Sequence, residues 1–74
     1  MTGPADFLRG AASGTRVVIR YRLPEGIATD ALGYLHTVSD THCVVATKRG
    51  LETIPLAAVV AAKEVPPPPA PHPR

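Results

Sequence analysis

The chain has 74 residues, with one cysteine, no tryptophan, and eight lysine and arginine residues against six acidic ones. A hydrophobic core of this size supplies only about 3–5 kcal/mol of stability, which leaves room for one small domain. The single cysteine excludes an intrachain disulfide, and the net charge of +2 does not by itself indicate nucleic-acid binding.

The N-terminal sequence argues against export and membrane attachment. It reads MTGPADFLRG, with an acid where a signal peptide is apolar, and Thr2 stands where N-myristoylation requires glycine. No apolar run reaches the about 18 residues that span a bilayer. Because a lone cysteine also suits a reducing compartment, we expect a soluble cytoplasmic protein that does not contact membranes.

Residues 1–13 contain one candidate helical turn, Asp6 to Ala12. Asp6 can cap this turn and Leu8 can dock on a core, but Gly10 weakens a helix. We predict a flexible N-terminal arm here, with an ordered turn as the alternative.

The clearest pattern in the chain is Gly14 to Leu23, GTRVVIRYRL, which alternates with the period of two of a half-buried strand. β-branched and aromatic residues at the inward positions favour a strand over a helix. The inward row is Val17, Ile19, Tyr21 and Leu23, and the outward row is Arg16, Arg20 and Arg22. The strand therefore supplies both a core row and a cationic row.

A long loop and a second strand are predicted next. The segment LPEGIATD is rich in turn-forming residues, and its Thr29 and Asp30 can bond their own backbone. The second strand is Ala31 to Val38. Gly33 within it indicates a bulge or a close approach of another backbone, either of which bends a small sheet.

Three further short strands follow, predicted at His42 to Thr47, Leu51 to Ile54 and Val59 to Val65. Lys48 to Gly50 forms a tight hairpin with Gly50 at the position that requires positive φ. Pro55 begins a single 3₁₀ turn that ends at Val59. The alternative for the last strand is a helix over LAAVVAAKE, since Ala and Leu favour helices.

These elements predict an all-β fold, a small five-stranded SH3-like barrel over residues 14–65 with a 3₁₀ turn before the last strand. Residues 66–74 hold six of the nine prolines and cannot form a helix or a sheet. We predict a disordered proline-rich linker there, acting as a polyproline II spacer, with a ligand for a polyproline-binding groove as the alternative.

Three segments, GTRVVIRYRLPEG, TDALGYL and IPLAAVVAAKEVPP, resemble the N-terminal SH3-like domain of actinobacterial GNAT N-acetyltransferases of the histone acetyltransferase-like type. The resemblance covers roughly residues 14–67 and depends on the spacing of glycine, proline and arginine residues. It implies that the parent protein is an acetyl-CoA-dependent N-acetyltransferase. The family's catalytic domain would lie after Arg74, so the resemblance implies no catalytic residue and no bound cofactor in this chain.

Six side chains are candidates for partner binding: Arg16, Arg20, Arg22, Tyr34, Lys48 and Arg49. Their cations could follow a phosphate backbone, although a solvated outer face is the plainer interpretation. The chain has only three aromatic residues for base stacking. The first hypothesis is a non-catalytic interaction or spacing module that contacts a protein partner or the adjacent catalytic domain. The alternative is a free-standing basic β-barrel that binds nucleic acid.

Asp40, His42 and Cys43 include metal-binding and nucleophilic atom types in a short stretch. On a strand, however, His42 and Cys43 point to opposite faces and cannot reach one ion together. We predict a turn aspartate, an edge histidine and a buried small cysteine instead of a metal site or a nucleophile.

Overall fold

A computed structural model describes residues 3–66, where one short helix precedes five strands. The elements are α1 (Pro4–Gly10), β1 (Arg16–Arg22), β2 (Ala28–Val38), β3 (His42–Thr47), β4 (Gly50–Pro55), a 3₁₀ turn (Leu56–Ala58) and β5 (Val59–Glu64). The strands form one antiparallel sheet in the order β4-β3-β2-β1-β5. The predicted five-stranded, SH3-like all-β fold is confirmed.

The two faces of β1 are those that the alternation predicts. Val17 and Ile19 are fully buried, whereas Arg20 and Arg22 are exposed. Tyr21 is half-buried because it lies near the end of the strand. β1 is an interior strand of the sheet, since it pairs with β2 on one side and with β5 on the other.

The prediction of a long loop after β1 is wrong. The chain reverses within a tight turn, in which the Leu23 amide donates to the Ile27 carbonyl at 2.8 Å. Thr29 and Asp30 then lie within β2, opposite Tyr21 and Arg20. Their local preference for turns is overridden because each gains a cross-strand partner.

At Gly33 the backbone of β3 lies where a side chain of β2 would otherwise be. A Cβ atom built on Gly33 would lie 2.8 Å from the carbonyl carbon of Ala46 and 3.1 Å from the Cα atom of Thr47. The register between the two strands shifts two residues further on, between Leu35 and Thr37. The close approach that Gly33 predicted is therefore confirmed, and the bulge lies beside it.

The β3–β4 connection is the tight hairpin that the sequence predicts. Thr47 pairs with Gly50, which leaves Lys48 and Arg49 at the tip. Gly50 has a φ of +119°, a conformation that residues with a Cβ rarely adopt.

The C-terminal part of the barrel follows the strand prediction and not the helical alternative. Leu56 is buried in the 3₁₀ turn, and β5 pairs with β1 along its length. A helix would leave the outer edge of β1 without these partners. The linker prediction for residues 66–74 lies outside the described residues except at Pro66.

The N-terminal segment forms a helix, in agreement with the ordered-turn alternative to a flexible arm. Residues 4–10 form α1, and its Leu8 side chain is fully buried in the core. Burial of a leucine stabilises a fold by about 1.5–3 kcal/mol, which offsets part of the entropy cost of ordering this segment. Arg9 also donates to the Asp40 carbonyl at 3.2 Å. Among the described residues, no helix is long and apolar enough to cross a membrane.

The core is apolar and draws on every element except β5, whose Val59 and Ala62 are partly buried against it. Leu8 comes from α1, and the buried sheet residues meet it from the inner faces of β1 to β4 and from the 3₁₀ turn. The buried set is Leu8, Val17, Ile19, Ala31, Leu35, Cys43, Val45, Ile54 and Leu56. Within residues 3–66 no buried polar side-chain atom lacks a hydrogen-bond partner.

The two faces of β1 can be tested with one pair of variants. Ile19→Ala removes a fully buried side chain and should lower the free energy of unfolding by about 2–5 kcal/mol, which unfolds a domain of this size. Arg20→Ala, on the exposed face, should cost much less. Chemical or thermal denaturation measures both, and equal melting temperatures would mean that the faces are reversed.

Candidate binding groove

An open groove of about 710 Å³ lies between the β1–β2 pair and the tip of the β3–β4 hairpin. It brings together four of the six candidate residues, namely Arg16, Tyr34, Lys48 and Arg49. The groove exists because Gly33 lets the end of β3 pass close over β2. That approach carries the hairpin tip over the strand residues which form the floor.

The outer face of the sheet supplies an apolar strip to this groove. Leu32 on β2 lies opposite Val18 on β1, and Tyr34 lies opposite Arg16. Leu32 is 48% exposed and Tyr34 is 43% exposed. Leu51 does not line the groove but extends the strip beyond it to β4, since both it and Tyr34 lie opposite Ala46. Neighbouring exposed apolar side chains on one face are typical of an interaction surface.

A polar cluster closes the inner end of the groove. Glu52 accepts a hydrogen bond from the Tyr21 hydroxyl at 3.4 Å through Oε1. Its Oε2 atom lies 3.3 Å from the Thr47 hydroxyl, which also lies 3.0 Å from the Gly50 carbonyl. The Arg49 amide donates to the same Thr47 oxygen at 3.1 Å. The cluster therefore fixes the Glu52 carboxylate and the base of the hairpin tip together.

The environment of Tyr21 raises the pKa of its hydroxyl above 10. The largest cause is partial burial, which disfavours the charged phenolate. The negative charge of Glu52 and its hydrogen bond to the hydroxyl raise the pKa further, while the positive charge of Arg49 lowers it. Tyr21 thus enters the groove as a neutral hydroxyl.

Three cations line the groove without an ion-pair partner among residues 3–66: Arg16, Lys48 and Arg49. The Arg16 guanidinium donates to the Pro66 carbonyl at 2.7 Å, and the Val65 amide donates to the Arg16 carbonyl at 2.9 Å. The chain therefore leaves β5 alongside Arg16, at one edge of the groove.

Arg20 and Arg22 do not join these three cations. Arg20 forms an exposed ion pair with Asp30, with 3.0 Å between Nε and Oδ1, and Arg22 donates to the Gly26 carbonyl at 3.3 Å. Arg20 instead borders a second groove of about 350 Å³, with Val18 and Ala61 in its lining. The sequence placed all three arginines on one face correctly but did not reveal which of them Asp30 neutralises.

Sequence reasoning missed Leu32 and Glu52 as groove residues. Leu32 carried a signal, because both rows of the second predicted strand contain apolar residues and one row must face outwards. Glu52 carried none. Its role depends on contacts with Tyr21 and Thr47, and Tyr21 lies on a distant strand.

The Asp40 to Cys43 stretch has the geometry that the strand argument predicts. Cys43 is fully buried, and burial raises the pKa of its thiol, which keeps the sulfur protonated and unreactive. His42 is exposed on the opposite face, with its Nδ1 atom 2.8 Å from the Thr41 hydroxyl. Residues 3–66 contain no group of three or more side chains suited to hold a metal ion.

Comparison with known proteins places this fold in a family. A family model described as the Rv0428c N-terminal Sm-like domain matches residues 11–63, well over half of the chain. The chain belongs to this family. The match spans β1 to β5 almost completely and includes every residue of the groove, whereas all of α1 lies before it. No curated protein and no solved structure matches the chain.

The Tyr21–Glu52 contact of the Sm-like domain predicts a pH dependence. The pKa of the Tyr21 hydroxyl is higher in the folded state than in the unfolded state, so the folded state binds the proton more tightly. The contact therefore contributes its full stabilisation below about pH 10 and loses it as the pH rises through the folded-state pKa. Glu52→Gln should lower the pKa of Tyr21, because it removes the negative charge that disfavours the phenolate, while the contribution of burial stays.

Ultraviolet titration in a Tyr34→Phe background, where Tyr21 is the only tyrosine, measures this pKa. An unchanged pKa in Glu52→Gln would mean that the carboxylate does not contact the hydroxyl.

Proposed function

We propose that this Sm-like domain is a non-catalytic protein-interaction module and that the groove is its binding surface. The observation that carries this proposal is the exposed strip of Leu32, Tyr34 and Leu51 on the outer sheet face. These side chains remain exposed to water and do not stabilise the fold, so a partner that buries them gains binding energy. Unpaired cations beside the strip supply orientation.

The proposed partner is an adjacent catalytic domain of the GNAT N-acetyltransferase type, acting in the cytoplasm. The resemblance of the first strand and the last segment to that family supports it, as does a family name that describes an N-terminal domain. Acetyl-CoA would be bound by the catalytic domain, not by this chain. The proline-rich residues 66–74 would act as the spacer between the two domains.

The exit of the chain also favours an adjacent partner. Arg16 holds the Pro66 carbonyl at the edge of the groove, so any domain connected through residues 67–74 starts close to the apolar strip.

Two measurements test this proposal. The first is the DNA sequence beyond the Arg74 codon, and the second compares the amide NMR spectra of the short and extended chains. We expect a downstream acetyltransferase domain, acetyl-CoA-dependent activity only in the extended chain, and shifts of the Leu32, Tyr34 and Arg49 amides on extension. Ser39 and Asp40, outside the groove, serve as the control. A missing downstream domain, or shifts that avoid the groove, would contradict the proposal.

Nucleic-acid binding is a second candidate, which the presence of Arg16, Lys48 and Arg49 in one groove with an exposed Tyr34 favours. Phosphate contacts make such binding strongly dependent on salt. Gel-shift titration against single- and double-stranded nucleic acid tests it. A micromolar complex at moderate salt that weakens steeply as salt increases would favour this candidate over the protein-interaction module.

A further inference from the structure

The charges of the groove do not cancel, although two carboxylates line it. Asp30 is neutralised by Arg20, which lies outside the groove. Glu52 is engaged by the hydroxyls of Tyr21 and Thr47. The groove therefore has excess positive charge, and its cations would be the charges nearest to a bound ligand.

These cations flank the apolar strip on two sides. Arg16 is on β1, directly opposite Tyr34, and Lys48 and Arg49 are at the hairpin tip beyond the end of β3. Leu32 and Tyr34 lie between them on β2, two residues apart and therefore on one face. A ligand that fits this order carries an apolar group in the middle and negative charge on either side.

The aromatic content of the groove favours a polypeptide over a nucleic acid. Tyr34 is the exposed aromatic residue, whereas the Tyr21 ring is half-buried and its hydroxyl is tied to Glu52. Single-stranded nucleic acids need successive stacking platforms, which one exposed tyrosine does not supply. Leu32 offers an aliphatic surface, which suits an apolar side chain better than a base.

We propose that the groove binds an acidic segment of a protein, with an apolar side chain on Leu32 and Tyr34 and carboxylates on Arg16 and on the hairpin tip. This inference rests on the proposed interaction function and specifies the chemistry of the partner. Charge complementarity of this kind sets specificity and association rate, while the apolar contact supplies the binding energy.

Affinity selection from a pool of short capped peptides of random sequence, with the immobilised chain as bait, tests this inference. We expect enrichment of peptides with Asp or Glu beside Leu, Phe, Tyr or Met. The double variant K48E/R49E should bind the selected acidic peptides at least about tenfold more weakly and should select basic residues at the same positions. R22E/K63E has the same change in net charge outside this groove and should keep the original preference. Circular dichroism confirms that both variants are folded.

The outcomes separate this inference from the proposed function. Enrichment of neutral or basic apolar peptides that shift the Leu32 and Tyr34 amides would overturn the acidic assignment and leave the interaction module standing. Failure to enrich any peptide would overturn the acidic-segment assignment but not the interaction module, because a folded domain can contact the groove without a linear segment; the amide shifts on chain extension decide the module separately. Displacement of the selected peptides by oligo-dT at low concentration would overturn the protein-segment assignment in favour of nucleic acid.

Discussion

The main chain of β3 passes directly over Gly33, and the geometry of the groove depends on this contact. The space that a Cβ atom would occupy is already filled by the Ala46 carbonyl group and is close to the Cα atom of Thr47. Backbone atoms cannot rotate away as a flexible side chain could, so only glycine allows β2 and β3 to approach this closely. The bend that results turns a flat five-stranded sheet into a small curved one with two different faces.

Both the binding surface and its charge follow from that bend. It brings the Lys48–Arg49 tip over the strand residues of β2, and Thr47 connects the tip to Glu52 through its hydroxyl. Glu52 in turn reaches Tyr21 on β1, so one polar cluster joins strands that are not neighbours in the sheet. The apolar strip on the outer face then lies beside a hairpin tip whose backbone is fixed by the Thr47 hydroxyl. A preorganised arrangement of this kind lowers the entropy cost of binding a partner.

The sequence predicted those features that depend on local pattern or on one residue's conformational limits. Val17 and Ile19 could be assigned to the core because alternation is visible in the strand itself, and Gly50 could be assigned to a turn because of its backbone freedom. Features that depend on distant partners could not be predicted. Thr29 and Asp30 have the local preferences of loop residues, and only their pairing with Tyr21 and Arg20 makes them part of a strand. Leu8 lies in a segment with a weak helical pattern, and its burial in the core is not visible in the local sequence. The groove itself was missed for the same reason, although four of its residues were already candidates.

The unfolding free energy of Gly33→Ala, measured by urea denaturation beside Gly10→Ala, tests the central claim most directly. Nothing lies within 4 Å of a Cβ atom built on Gly10, and alanine there also favours the helix, so that variant should lose no stability. Gly33→Ala should lose about 1–3 kcal/mol, because the added methyl group forces β3 away from β2. If the two variants are equally stable, the backbone of β3 does not press on Gly33, and this account of the bend and of the groove is wrong.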